Sequence, residues 1–266
     1  MKKIFIAALI LMMMVITGCG GSGGSGSDYK FDKKLVIGLD EEYAPMGFRD
    51  KDGNLIGFDI DLAKEAAKRL GTEFEFRPID WDNKREEITS GNVDMLWNGT
   101  DITEERKEYM IYTKPYLENR QILMTKVNSG FDLYSESDLA GLRVGTQAGS
   151  SSRNYIESKP ELMESFKEFK TYLNFKEAYE ALDKNEVDVI ISDETIARYT
   201  IYQIPNKFEL AEVTIGPVCE IGIGFRKDEV ALRDTIQKVF DEMIADGTTK
   251  KISEKWFHAD IIKYRR

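Results

Sequence analysis

Residues suited to covalent chemistry are scarce in this sequence. It holds one histidine, His258, and two cysteines, Cys19 and Cys219. A serine or cysteine hydrolase relying on a histidine base would have only His258, close to the C-terminus. Two cysteines make neither a disulfide framework nor a cysteine zinc site. Acids outnumber bases, with a formal net charge of −10. No basic stretch offsets repulsion from phosphate, so nucleic acid is not expected as a partner. These absences leave binding as the leading class, with no cofactor and no metal.

Cys19 has its own context. Lys2 and Lys3 precede an apolar run, Ile4 to Ile16, that ends at Thr17-Gly18-Cys19. This is the charged, apolar, small-residue order of a secretory signal. The run is shorter than the ~20 residues that span a bilayer. Val15-Ile16-Thr17-Gly18-Cys19 resembles a bacterial lipobox, which implies removal of residues 1–18, acylation of Cys19, and a protein anchored to the membrane on its outer side. The alternative is an ordinary signal peptide or a short uncleaved anchor. Gly20 to Ser27 contains only glycine and serine, a flexible tether by composition.

The elements behind the tether alternate in type. Leu35-Val36-Ile37-Gly38-Leu39 reads as a buried strand, followed by a loop from Asp40 to Phe48 and a turn at Asp52-Gly53. A helix is expected from Asp59 or Asp61 through Leu70, with Leu62, Ala66, Ala67 and Leu70 on one face and Gly71 as its stop. Phe74 opens a strand, Lys84 to Thr89 is helical, and Val93 to Trp97 is a third strand. The pattern restarts with a strand at Leu142, a helix from Ser151, a helix over Ala178 to Leu182, and a strand over Val187 to Ile191. Gly91-Asn92-Val93-Asp94-Met95 and Asn185-Glu186-Val187-Asp188-Val189 close the two halves alike. The expected fold is α/β: two lobes, each an open, mostly parallel sheet flanked by helices. Lobe 1 covers 35–120, lobe 2 covers 121–215, and 216–266 returns to lobe 1. Residues 19–34 form the anchor and tether. Gln121 to Lys126 and Ile221 to Phe225 are the crossings, and Leu232 to Ile244 is a closing amphipathic helix.

An ordered set of phrases then identifies a relationship. Tyr43 to Phe48, Asp52 to Ala63, Asp101 to Lys107, Thr113 to Tyr116, Val144 to Ser151, Val187 to Glu194, Gly222 to Lys227 and Lys255 to Phe257 together resemble the extracellular solute-binding proteins of polar amino-acid ABC importers. The resemblance implies a hinged clamp of the periplasmic-binding-protein type that acts as a monomer, captures an amino acid or a related zwitterion, and delivers it to a membrane permease.

It also implies roles. Arg106 would grip the ligand's α-carboxylate, as the guanidinium fork suits that group. Backbone amides around Gly99 and Gly149, with the hydroxyls of Ser150 and Ser151, would complete a carboxylate nest. Asp193 would accept from the α-ammonium, Tyr43 and Trp81 would flank the ligand, and Asn98 would line the pocket. Read singly, these residues have plainer uses: Arg106 as a surface charge beside Glu104 and Glu105, Asp193 as a helix cap, Gly149 as a turn glycine, and Ser150 and Ser151 as caps.

Asp101 departs from the family, which places threonine or serine there. A carboxylate beside the ligand's carboxylate would repel it unless Asp101 turns away, pairs with Arg106 or holds a proton. It favours a ligand with an additional cationic group or one that is not a standard α-amino acid, or else it caps the helix starting near Thr103 and never meets ligand. Two other readings share the fold: a dehydratase-like enzyme using Glu194 or Glu220 as proton donor, and a sensory module, against which stands the lack of a second apolar span.

Overall fold

The computed structural model describes residues 29–31 and 33–263. The signal segment 1–18, Cys19 and the Gly/Ser run to Ser27 lie outside the described residues. No helix among the described residues is long and apolar enough to cross a membrane.

Two sheets form the two lobes. In the first, Phe74–Pro78, Leu35–Leu39, Met95–Leu96, Gly224–Arg226 and Met110–Tyr112 lie side by side, with only Gly224–Arg226 running against the rest. In the second the order is Glu168–Tyr172, Arg143–Gln147, Val189–Asp193, Leu117–Lys126, Phe208–Ile221 and Asp101–Ile102. Its first three strands are parallel and its last three alternate. Parallel strands covered on both faces need apolar side chains on both, and Val189, Ile190 and Ile191 are all fully buried. A small sheet of Glu42–Tyr43, Gly47–Arg49 and Leu55–Ile56 sits beside the first lobe.

The similar closing phrases of the halves do one job twice. Gly91 and Asn185 both adopt positive φ. Three residues on, the Asp94 carboxylate accepts from the Val36 amide and the Asp188 carboxylate from the Arg143 amide, each at 2.8 Å. The Asp94 and Asp188 amides return bonds to the carbonyls of the same partners, also at 2.8 Å. Each aspartate therefore staples the loop before one parallel strand to the start of its neighbour.

The helix expected to open on an aspartate runs over Phe58–Leu70 and ends on Gly71 in the left-handed region, as its glycine foretold. Its start differs. Gly57 is the cap residue, at φ 145°, where a Cβ would lie 2.2 Å from the Met46 carbonyl oxygen. Asp59 is not a cap. Its buried carboxylate accepts from Tyr116 Oη at 2.8 Å and from the Gly99 amide at 2.7 Å, and burial pushes its pKa up to about 7.

Leu117–Lys126 and Phe208–Ile221 carry the chain between the lobes as one antiparallel ribbon. Its register shifts between Ala211 and Cys219, the irregularity of a bulged strand that bends.

Candidate functional site

The C-terminal ends of the parallel strands in both lobes face one crevice, the usual place for ligands in open α/β sheets. Asp40 follows Leu35–Leu39, Asn98 and Gly99 follow Met95–Leu96, Gln147 ends Arg143–Gln147, and Asp193 ends Val189–Asp193. Nine of the ten residues expected at the site line one small cavity: Tyr43, Trp81, Asn98, Gly99, Asp101, Arg106, Ser150, Ser151 and Asp193. Gly149 stands at its edge, its carbonyl oxygen receiving Arg106 Nη2 at 3.1 Å. The lobes touch directly across the crevice, through Tyr43 Oη to Asp193, Ser151 Oγ to Asp101 at 2.5 Å and Arg153 to Asp82 at 2.7 Å. This is a closed arrangement.

Arg106 is 2% exposed and sits in the short helix Glu104–Lys107, which the Thr103 side chain caps. Among the described residues it forms no ion pair with a carboxylate. Nη1 donates to the Asp101 carbonyl at 3.1 Å and Nη2 to that of Gly149, while Nε has no partner. Burial works against its charge, but the Asp101 carboxylate together with Tyr112, Tyr109 and Glu105 outweighs that and holds its pKa above the ordinary value. Asn98 Nδ2 is a second buried donor without a partner, and Asn98 Oδ1 accepts from the Asp40 amide at 3.0 Å.

Asp193 precedes the helix Glu194–Gln203 but makes no side-chain cap bond. Its carboxylate turns into the crevice instead, accepting from Tyr43, from Asn119 Nδ2 at 2.5 Å and from Gln121 Nε2 at 2.5 Å. Asp101 is likewise no cap, since Thr103 holds that place. Its carboxylate is buried and accepts from Asn119 Nδ2 at 3.0 Å and from Ser151. Burial and then the charge of Asp193 push its pKa up to about 6, against the pull of Arg106.

Two expected donors are otherwise engaged. The Gly99 amide bonds to Asp59, so the carboxylate nest loses that group. The Ser150 hydroxyl caps the helix Ser151–Glu157, accepting from the Arg153 amide at 3.1 Å, the plainer of its two uses.

Four residues had no assigned role in the sequence reading. Asp40 is buried, its carboxylate accepting from Gln147 Nε2 at 2.7 Å across the crevice, and burial pushes its pKa up to about 6. Gln147 is thus the second; it stood inside a matching phrase, but nothing local marked it. Asn119 joins Asp101 to Asp193 from the crossing ribbon. Lys84 is 5% exposed and donates to the Gly149 carbonyl at 2.7 Å. The acids suited to a dehydratase lie elsewhere. Glu194 is clamped by Arg120 at 2.6 and 2.7 Å, which holds its pKa low, and Glu220 is exposed on the ribbon.

A family model described as bacterial extracellular solute-binding proteins, family 3, matches residues 35–259. The L-cystine-binding protein TcyJ of Escherichia coli is 29% identical over 230 residues, 86% of this chain and 84% of TcyJ. A substrate-binding protein of an ABC uptake transporter from Streptococcus pneumoniae, solved with bound histidine, superposes with a TM-score of 0.82 at 34% identity, covering 87% of this chain and 95% of the other. An ancestral arginine-binding protein bound to arginine gives 0.78 at 37% identity, over 84% and 98%.

Proposed function

The chain belongs to the bacterial extracellular solute-binding proteins, family 3, and from that premise we propose that it captures a basic amino acid between its lobes for an ABC importer. The observation that carries this reading is the charge pattern of the crevice. Arg106, buried without an ion pair, offers a fork for an α-carboxylate. Asp193, in reach of Tyr43 and Asn119, accepts the α-ammonium. Asp40, bonded to Gln147, is left for a second cationic group. Counting Asp40, Asp101 and Asp193 against Arg106 and Lys84, the crevice holds one negative charge more than positive, and a ligand of net charge +1 balances it. Bound histidine and bound arginine in two structural neighbours agree in ligand class.

Closure follows from contacts made only when the lobes meet. Arg106 lies in the first lobe and Asp193 in the second, so a zwitterion bridging them favours the closed form. The bulged part of the ribbon, between Ala211 and Cys219, serves as the hinge, with lobe boundaries near residues 120 and 215. A membrane permease then receives the closed, loaded form. Attachment through acylated Cys19 and the Gly/Ser tether would hold the protein near that permease. Binding without chemical conversion fits the crevice, because neither Glu194 nor Glu220 reaches it.

Calorimetry or thermal shift over the twenty amino acids tests the ligand class, since a bound ligand raises apparent stability. Lysine, arginine or histidine should bind best, and Arg106→Met should weaken that binding by ~2–5 kcal/mol. Tighter binding of a neutral or acidic amino acid than of all three would defeat the proposal.

A further inference from the structure

Lys84 begins the helix Lys84–Thr89, three residues after Trp81, which lines the crevice. Its ammonium donates to the Trp81 carbonyl at 3.0 Å and to the Gly149 carbonyl at 2.7 Å, from the first lobe to the second. It lies 5.6 Å from the centre of the Trp81 ring. Among the described residues it has no ion pair with a carboxylate, and an ammonium has three N–H groups to place. Arg106 Nη2 donates to the same Gly149 oxygen. Two buried cations therefore converge on one neutral carbonyl oxygen.

That arrangement is electrostatically poor as it stands. Buried charges normally have a charged partner, and like charges side by side in a low dielectric repel. Burial, and after it the charge of Arg106, push the Lys84 pKa down to about 7. Arg106 Nε is buried without any acceptor, and Gly149 contributes only half of what a carboxylate would, one oxygen and no charge. An anion between the two cations would satisfy the open donors and relieve the repulsion.

We propose that Lys84 is the second cation of the carboxylate subsite, gripping the ligand's α-carboxylate together with Arg106. The inference rests on the reading above that the carboxylate docks at Arg106. It also accounts for Asp101. An aspartate in this subsite would cancel the charge of Arg106 alone, whereas Arg106 and Lys84 together keep the subsite positive beside it. Lys84 and Asp101 thus form a compensating pair, and the selectivity of Asp101 for cationic ligands does not sacrifice the hold on their carboxylate.

The test compares L-arginine with agmatine, the same molecule without its carboxylate, by calorimetry on the full chain and on Lys84→Met. Removing one charge-assisted contact to the carboxylate should weaken arginine binding about tenfold or more. Agmatine affinity should change less than about twofold, because methionine keeps the packing of the lysine stem. The unfolding midpoint of the ligand-free variant should hold or rise, since a buried unpaired charge has been removed. Unchanged arginine affinity overturns the proposal. So does an equal loss for both ligands, which would make Lys84 only a latch between the lobes. If the parent prefers lysine or histidine, the same comparison is made with cadaverine or histamine as the partner without a carboxylate. If the parent binds none of the three basic amino acids, the reading of the ligand class falls together with this one; if it binds one and Lys84→Met binds that one equally well, only the role of Lys84 falls.

Discussion

Replacing Asp101 by asparagine keeps the shape of the side chain and removes its charge. In the closed structure the Asp101 and Asp193 carboxylates accept from the same Asn119 Nδ2, at 3.0 and 2.5 Å, so they are close neighbours. A ligand whose carboxylate lies against Arg106 must therefore sit beside Asp101. Two unit charges ~5 Å apart interact by about 3 kcal/mol at an effective dielectric near 20, repelling or attracting by sign. For glutamine, whose side chain is neutral, the ionised Asp101 opposes the ligand carboxylate with nothing further to offset it. For arginine, the distant guanidinium recovers part of that energy. The repulsion between Asp101 and the α-carboxylate is common to both ligands, so their ratio reports the attraction of Asp101 for the guanidinium, about 2 kcal/mol at ~8–10 Å and the same dielectric. Asp101→Asn should then shift the arginine-to-glutamine affinity ratio toward glutamine by about tenfold.

The pH dependence carries the same sign. The Asp101 pKa is raised to about 6, and an adjacent ligand carboxylate would raise it further. Glutamine affinity in the parent should therefore improve as pH falls from about 7.5 towards 6, where ligand binding takes up a proton. Asp40, also raised to about 6, contributes to any slope that survives in the variant. Calorimetry of both proteins with both ligands at several pH values gives the two readouts. An unchanged affinity ratio together with an unchanged glutamine slope would show that Asp101 does not sense the ligand's charge.

Other consequences can be measured independently. Gly149 adopts φ 67°, and a Cβ there would come within 2.8 Å of the Asp82 Cα and the Trp81 carbonyl in the facing lobe. Gly149→Ala should weaken ligand binding at least about tenfold, since that clash arises only when the lobes close, and titration calorimetry would show it; the left-handed backbone disfavours a Cβ by a further ~1–2 kcal/mol as a loss of stability in either form. Asp59 has a folded-state pKa of about 7 against an ordinary 3.8. Its contribution to stability is full below pH ~4 and lost as pH rises through about 7, a linkage on the order of 4 kcal/mol at most. Asp59→Asn should flatten that limb in urea melts of the ligand-free protein, and an equally steep limb would assign it to other groups. Cys19→Ser should abolish incorporation of labelled fatty acid in the producing cell, and persistent labelling would place the lipid elsewhere.

The parts of the fold legible in the sequence were those fixed by local rules. The spacing of Leu62, Ala66 and Ala67 and the stop at Gly71 located one helix, and apolar runs located the parallel strands other than the edge strand Glu168–Tyr172. What escaped depended on tertiary partners. A helix start on Asp59 or Asp61 was expected, but the Asp59 carboxylate is drawn inward to Gly99 and Tyr116, and the helix begins at Phe58 behind its cap Gly57. The long strand Phe208–Ile221 contains Gly216 and Pro217, residues that read as breakers, and persists because it bulges there. In the crevice, Arg106 and Asp193 were marked by their place in a motif. Lys84 and Asn119 had no such mark: Lys84 stood only as the first residue of an expected helix, and Asn119 faces the site only because of the direction of the crossing ribbon.

The closed crevice also bears on how affinity arises. Several groups that a ligand would use on the proposed reading are bonded to each other across the lobes: Tyr43 to Asp193, Ser151 to Asp101, Gln147 to Asp40. Binding exchanges these contacts and does not simply add new ones, so net affinity is the surplus of ligand contacts over those displaced. A neutral amino acid can replace the Tyr43–Asp193 bond with its ammonium, but it leaves Asp40 with no better partner than Gln147 already provides. A basic side chain improves both ends, exchanging a neutral amide donor for a cation at Asp40. Selectivity in this protein therefore resides in what closure achieves without ligand as much as in the ligand's own contacts. A substitution that removes one of the direct bonds between the lobes, such as Gln147→Leu, should leave or raise affinity for lysine and arginine, which replace the bond, and lower it for glutamine, whose complex keeps it, so discrimination for the cation widens. Calorimetry with lysine, arginine and glutamine on Gln147→Leu decides it. If all three change by the same factor, the exchange at Asp40 plays no part in selectivity.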